Sequence, residues 1–175
     1  KFGMLFQAGA LFDSLPAWEN LAFGLIAGQG FNRAEAKEIA LRKLGAVGLG
    51  PEVATLYPSE LSGGMQKRVS LARAIATEPE IIFFDEPTTG LDPIMSQVIN
   101  ELIKQCVDDL GATALSITHD MQSLRVIGDN AAMIYDGRII WHGPAGDIDH
   151  SGNAHVEQFV QGKAEGPIKM PVRPL

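Results

Sequence analysis

Apolar and polar positions switch between two periods along the chain. Lys1 to Phe6 reads as the end of a short apolar strand, broken by Gln7-Ala8-Gly9. From Pro16 to Val47 the period becomes helical. Asn32 and Glu35 stand at capping-box spacing, Ala36, Ile39, Ala40, Leu44 and Val47 fall on one face, and Gly48 stops the run. The pattern predicts a further helix from about Gly64 to Thr77. Ile81-Ile82-Phe83-Phe84 follows, an unbroken apolar run that suits a strand covered on both faces. It delivers two adjacent carboxylates, Asp85 and Glu86.

Asp92 and Pro93 supply an N-cap and first-turn proline for a helix carrying Val98, Ile99, Leu102, Ile103, Cys106 and Leu110, stopped by Gly111. Ala114 to Thr118 reads as a strand ending at His119, and Asp120 to Ile127 as a helix. Ala131 to Tyr135 with Arg138 to Trp141 form a hairpin around Asp136-Gly137. Past Gly143 the signals weaken, and the tail from Gly166 to Leu175, with Pro167, Pro171 and Pro174, is expected to be extended. The predicted fold class is α/β: a parallel sheet flanked by helices, with a helical lobe inserted after the first strand. Ligands of such sheets bind beyond the carboxyl ends of the strands, where Gln7, Asp85, Glu86 and His119 all fall.

Composition narrows the partners. The 175 residues suffice for one buried core, and no apolar run reaches the roughly 18 to 20 residues that span a bilayer. A formal net charge of −7 argues against broad electrostatic binding to nucleic acid or anionic lipid, so nucleic acid is not expected as a partner and any phosphate site must be local. Cys106 has no second cysteine to pair with and no Cys/His cluster around it, so it reads as a small buried hydrophobe in a reducing, cytoplasmic setting. The sequence opens on Lys1 and no signal peptide heads it; the expectation is that the natural N-terminus lies upstream.

Leu61-Ser62-Gly63-Gly64-Met65-Gln66-Lys67-Arg68 opens the helix that precedes the carboxylate strand. Ser62 offers a hydroxyl, the glycines admit close backbone approach, and the helix start presents free N–H groups to an anion. A plain Ser-Gly helix cap also explains Ser62, though not the doubled glycine or the basic residues one turn in. Asp85 at a strand end can hold Mg²⁺ through its water shell, and Glu86 can accept a proton from an attacking water; solvated loop acids are the alternative. His119 can donate to a terminal phosphate, or be an ordinary satisfied histidine. Gln7 can touch Mg²⁺, orient water, or simply be solvated. His142, His150 and His155 have no partners in spacing and read as surface residues.

In order, these pieces are Gln7 after a strand, a helical lobe, LSGGMQKR at 61 to 68, IIFFDEP at 81 to 87, GLD at 90 to 92 and THD at 118 to 120. Together they resemble the Q-loop, signature motif, Walker B strand, D-loop and switch histidine of ABC transporter ATPases. The resemblance implies a P-loop NTPase-like (RecA-like) sheet core with an inserted ABC α-helical subdomain, its N-terminal part missing. Residues 8–77 would be mostly helical subdomain and signature helix, 78–143 the α/β core, and 144–175 a C-terminal helix and extended tail. ATP and Mg²⁺ are the implied cofactors. The implied roles are metal binding at Asp85 with Gln7, general base or water polarisation at Glu86, γ-phosphate sensing at His119 and coupling through Gln7. Ser62, Gly63 and Gly64, with Gln66 and Asp92, would belong to the nucleotide-binding set shared with an opposite subunit.

A finer resemblance concerns cargo. Gly9-Ala10-Leu11-Phe12-Asp13-Ser14-Leu15, Trp18-Glu19-Asn20, Phe23-Gly24-Leu25 and the C-terminal Gln158-Phe159-Val160-Gln161-Gly162 are similar to Mla/Mce-type phospholipid transport ATPases. That implies a second ATPase subunit forming a homodimer, an integral membrane permease and an Mce-type lipid-binding protein as partners, at the cytoplasmic face of the inner membrane. The departure is that no GxxxxGK[ST] occurs in the sequence, so residues 1–175 alone are expected not to hydrolyse ATP detectably. Two rivals stand beside this reading: a soluble ABC ATPase working without a permease, and a catalytically incompetent docking module.

Overall fold

The computed structural model describes residues 2–169. Lys1, Pro171 and Pro174, on which two expectations fell, lie outside the described residues. The chain divides into two compact units between Ser123 and Leu124.

In the first unit, β1 (Phe2–Leu5), β2 (Ile81–Asp85) and β3 (Thr113–Ile117) form a parallel sheet in that order. The register pairs Leu5 with Phe84 and Asp85 with Ile117, so all three carboxyl ends emerge at one edge. Between β1 and β2 lies a helical lobe, α1 (Ala17–Gln29), α2 (Arg33–Ala46) and α3 (Gly63–Ala76), whose helices pack on one another. Leu21, Leu25, Ala36, Ala40 and Leu44 are buried there. The single predicted helical stretch breaks at Gly30, which caps α1 in the left-handed region, and Asn32 then opens α2 with both halves of the expected capping box. Between β2 and β3 runs α4 (Pro93–Leu110), capped by Asp92, with Ile99, Ile103 and Cys106 buried and Val98 at the surface. Burial pushes the Cys106 thiol up, in line with an inert hydrophobe.

Strand periodicity places Leu5, Ile82 and Phe84 on one sheet face, all fully buried, each contributing about 1.5–3 kcal/mol. Helix α3 lies directly against this face: a Cβ on Gly3 would overlap the Ala74 carbonyl oxygen, so glycine is required. The opposite face carries Phe2, Met4, Ile81, Phe83, Leu115 and Ile117. Phe2 is 70% exposed and Ile117 62%. The sequence reads β2 as suited to cover on both faces; among the described residues a packed helix covers one of them, and the apolar run alternates between buried and half-buried.

The second unit begins within α5 (Met121–Ile127) and contains β4 (Asn130–Tyr135) and β5 (Arg138–Pro144), an antiparallel pair. Asp136 and Gly137 turn it with φ of 48° and 71°, the doubly left-handed turn that this dipeptide favours. The hairpin forms a sheet of its own and groups with the C-terminal residues. A 3₁₀ turn (Ala145–His150) leads to α6 (Ala154–Val160), capped by Asn153. Two sequence expectations change here. His155 is half-buried with its ring 4.9 Å from that of Tyr135, not a bare surface residue. The described part of the tail folds back onto α6, where the Gln158 amide accepts from Ile168 N at 2.7 Å and donates to Ile168 O at 3.0 Å.

Candidate functional site

Strand β2 ends on Asp85, half-buried, and the chain turns sharply at Glu86. Glu86 has φ of 46°, a left-handed backbone that costs a non-glycine residue about 1–2 kcal/mol. Its N–H donates to Ile117 O at 2.9 Å, which continues the β2–β3 pairing one step past the strand. The carboxylate is held from two sides: Oε1 lies 2.7 Å from His119 Nδ1, and Oε2 accepts from Thr89 Oγ1 at 3.1 Å. The hydrogen bond to Glu86 holds the His119 imidazole above its ordinary pKa, so the pair favours a protonated ring beside a charged acid.

His119 is exposed, but the residues behind it are locked. Burial pushes the Asp120 carboxyl up, yet the Ser123 hydroxyl, the N–H groups of Gln122 and Ser123, and His119 outweigh it and hold the group below the usual carboxylate range. Ser123 Oγ donates to Asp120 at 2.7 Å, accepts from Asn100 Nδ2 at 2.9 Å and lies 3.1 Å from Thr88 Oγ1. Ser123, Asn100 and Thr88 are all buried, so this polar knot ties the segment after β2, the segment after β3 and α4 together. A groove of about 320 Å³ opens beside it, lined by Thr89, Gly90, Pro93, Ser96, His119 and Gln122.

The glycine motif starts α3. Ser62 is its N-cap, accepting from Met65 N at 3.3 Å, and Gly63 is exposed with open space where a side chain would stand. Gly64 abuts the first turn of α4: an added Cβ would sit 3.0 Å from Met95 Sδ. Gln66 donates to Pro58 O at 2.9 Å and Leu61 O at 3.3 Å, so its amide nitrogen holds the preceding loop. Asp92 uses Oδ1 to cap α4 through Ile94 N and Met95 N. The Gln7 residue is exposed, while its carbonyl accepts from Lys67 Nζ. Lys67 Nζ also donates to Glu86 O at 3.4 Å, and Arg73 donates to Gly9 O at 2.8 Å and Ala10 O at 2.6 Å. Sequence reading missed Lys67, Arg73, Thr88, Asn100 and Ser123. The signal for Lys67 was a cation near a helix start, where the dipole disfavours positive charge.

Asp85, Glu86 and His119 thus meet at one sheet edge, with the start of α3 joined to them through Lys67. Among the described residues no three His, Cys, Asp or Glu side chains cluster tightly enough to cage a metal. Two carboxylates suit Mg²⁺, which takes one or two protein oxygens and completes its shell with waters and substrate phosphates.

Comparisons with known proteins place the chain in a family. Over 169 residues the chain is 42% identical to the intermembrane phospholipid transport system ATP-binding protein MlaF of Haemophilus influenzae, covering 97% of this chain and 64% of that protein. It is 39% identical to a probable ribonucleotide transport ATP-binding protein, mkl, of Mycobacterium tuberculosis, with 97% and 47% covered. The chain therefore spans less than two thirds of the length of these relatives. Among solved structures, the dimeric post-hydrolysis state of the ATP-binding cassette MJ0796 bound to ADP and Pi matches with a TM-score of 0.74 and 33% identity, over 83% of this chain and 63% of that one. With the ABC transporter family model matching residues 1–89, just over half its length, this chain belongs to the ABC transporter family.

Proposed function

We propose that the protein containing this chain is the ATP-hydrolysing subunit of an ABC transporter, and that two copies close head to tail around two ATP molecules to drive a membrane permease. The observation that carries the reading is the Glu86 carboxylate, fixed 2.7 Å from His119 at the tip of the strand that ends in Asp85. Asp85 would hold Mg²⁺, which neutralises charge on phosphate oxygens, with Gln7 as a further contact. Glu86 takes the proton of the attacking water, and His119 keeps the carboxylate aimed while offering its other ring nitrogen to the terminal phosphate. Ser62, Gly63 and Gly64 at the start of α3 face the nucleotide held by the other copy, as suits an exposed glycine and a helix dipole. Gln66 and Asp92 contribute by shaping that helix start and the neighbouring turn.

The cargo we infer is phospholipid, because the MlaF relatives carry that word in their names and share the higher identity; the ribonucleotide named for the mycobacterial relatives is the competing cargo. No described helix is long and apolar enough to cross a membrane; in this reading the subunit sits at the cytoplasmic face of the inner membrane against an integral permease, with an Mce-type lipid-binding protein as a further partner of the system. An apolar groove of about 350 Å³, lined by Phe6, Phe12, Leu21, Phe23 and Thr77 beside the Gln7 loop, is the permease's docking place in this reading. The deciding experiment uses the complete protein. Glu86→Gln should keep ATP binding and lower turnover by at least about 100-fold, accumulating closed dimers. Hydrolysis near the wild-type rate would remove Glu86 from the mechanism and the proposal with it.

A further inference from the structure

Among the described residues, Lys67 is the only lysine, arginine, aspartate or glutamate in the buried class, at 7% exposed. An ammonium is costly to bury, and a methionine would fill the same space without that cost, so the charge must do something that packing does not. Its hydrogen bonds go to two backbone carbonyls, Gln7 O just past β1 and Glu86 O just past β2. These are neighbouring strand ends, and both belong to the hydrolytic site.

The two ends of the bridge differ in freedom. On one side, Glu86 is pinned at its N–H by Ile117 O, sits at a left-handed φ of 46° and accepts at its carbonyl from Thr89 N at 3.2 Å, so the Lys67 ammonium, the carbonyl's second donor, joins this turn to α3. On the other side, residues 7–10 form a strained turn. Gly9 and Ala10 have φ of 77° and 47°, and a Cβ on Gly9 would stand 2.6 Å from Ser70 Oγ. That turn is held to α3 by Arg73 through the carbonyls of Gly9 and Ala10. A shift of this turn must either drag the Lys67 ammonium or break its bond to Gln7.

We propose that Lys67 is a positioning residue for hydrolysis: it ties the Gln7 carbonyl to the Glu86 carbonyl, so that the state of the turn at residues 7–10 sets the aim of the Glu86 carboxylate. The role rests on the hydrolytic reading above and deepens it. Arginine can reach the same two carbonyls with its fork of donors, whereas methionine keeps the stem and donates nothing.

The test compares Lys67→Met and Lys67→Arg in the complete protein. Lys67→Met should lower kcat by at least about tenfold while KM for ATP stays within about threefold, because a misaimed base slows chemistry and leaves binding intact. Lys67→Arg should recover at least about half of the wild-type kcat. A Lys67→Met enzyme within about twofold of wild type overturns the proposal, as does a loss that arginine fails to rescue, since that would be packing alone. Hydrogen exchange provides a readout independent of turnover: in Lys67→Met, residues 7–10 and 86–89 should both exchange at least about tenfold faster, and loosening of only one segment overturns the link. If Lys67→Met does not fold, the kcat of Lys67→Arg decides, because its donors are kept and a collapse there leaves no role for the bridge. A wild type without ATPase activity sinks the proposed function instead, and the exchange result still judges the bridge.

Discussion

The helical lobe and the carboxyl edge of the sheet belong to one compact unit, yet they are held by different means. In the lobe, polar bonds are local where they are buried: the fully buried Asn20 accepts from Phe12 N and donates to Phe12 O, Leu15 O and Pro16 O, within eight residues of itself. The long-range bonds of its first two helices, such as Lys43 to Glu78 and Gln29 to Thr77, lie at the surface, where each is worth little, and only α3, which reaches the sheet edge, departs from this. At the sheet edge the order is inverted. Lys67 reaches back 60 residues to Gln7, and Asn100 and Thr88 meet Ser123 across 23 and 35 residues in a buried knot. Two non-glycine residues with left-handed backbone, Ala10 and Glu86, sit in the segments so tied. The lobe is stabilised by apolar packing and decorated with caps, whereas the edge uses buried polar bonds to hold a strained geometry that packing alone would release.

The largest expected effect tests the edge. Ser123→Ala removes the hydroxyl shared by Asn100, Thr88 and Asp120, leaving the Asn100 amide buried without an acceptor, and should destabilise the chain by about 3 kcal/mol in urea unfolding. Adding Asn100→Leu to it should return much of the loss, because removing both partners of a buried bond costs far less than orphaning one. A Ser123→Ala loss below that of Asn20→Ala would erase the contrast between the two regions. Asn20→Ala itself should cost about 1–2 kcal/mol, since the loop it clamps, residues 12–16, lies close enough to solvent for the freed carbonyls to find water. Smaller again, Asn32→Ala removes a surface helix cap and should cost about 1 kcal/mol, with α2 fraying only at its first turn.

The same division explains what the sequence revealed. The devices that were legible have partners close by in the chain: the Asn32/Glu35 box, the Asp92-Pro93 start of α4 and the Asp136-Gly137 turn, together with Asp85 at the end of β2. Lys67, Arg73 and Asn100 were not, because their partners lie between 19 and 64 residues away and no spacing rule encodes that; Ser123 has a near partner in Asp120, but its bonds to Asn100 and Thr88 span 23 and 35 residues. The apolar run of β2 carries a related limit. An apolar run states that both faces tolerate burial, but which face a helix covers is decided by the position of α3, fixed in part by the missing side chain of Gly3. Gln66 and Asp92 were grouped with the nucleotide contacts by motif position, and the structure gives each a local hydrogen-bonding task as well.

The smallest effect concerns the most exposed member of the edge. The bond to Glu86 raises the His119 pKa above its unfolded value of about 6.5, so the pair's contribution to stability is fully present below that value. As pH rises through the folded pKa the ring loses its proton and the contribution fades, and above it the pair adds nothing from charge. Because the His119 side chain is 67% exposed, solvent screens the pair and the change in stability is slight, so the imidazole itself is the better reporter. An NMR titration should place His119 above the ordinary range in the wild type and move it down toward that range in Glu86→Gln, which keeps an amide at the site but removes the charge. His119 titrating at or below about 6.5 with Glu86 intact would mean that the 2.7 Å contact does not persist in solution. The carboxylate would then be aimed by the Thr89 hydroxyl at 3.1 Å and by the backbone bonds of Glu86 to Ile117, Thr89 and Lys67.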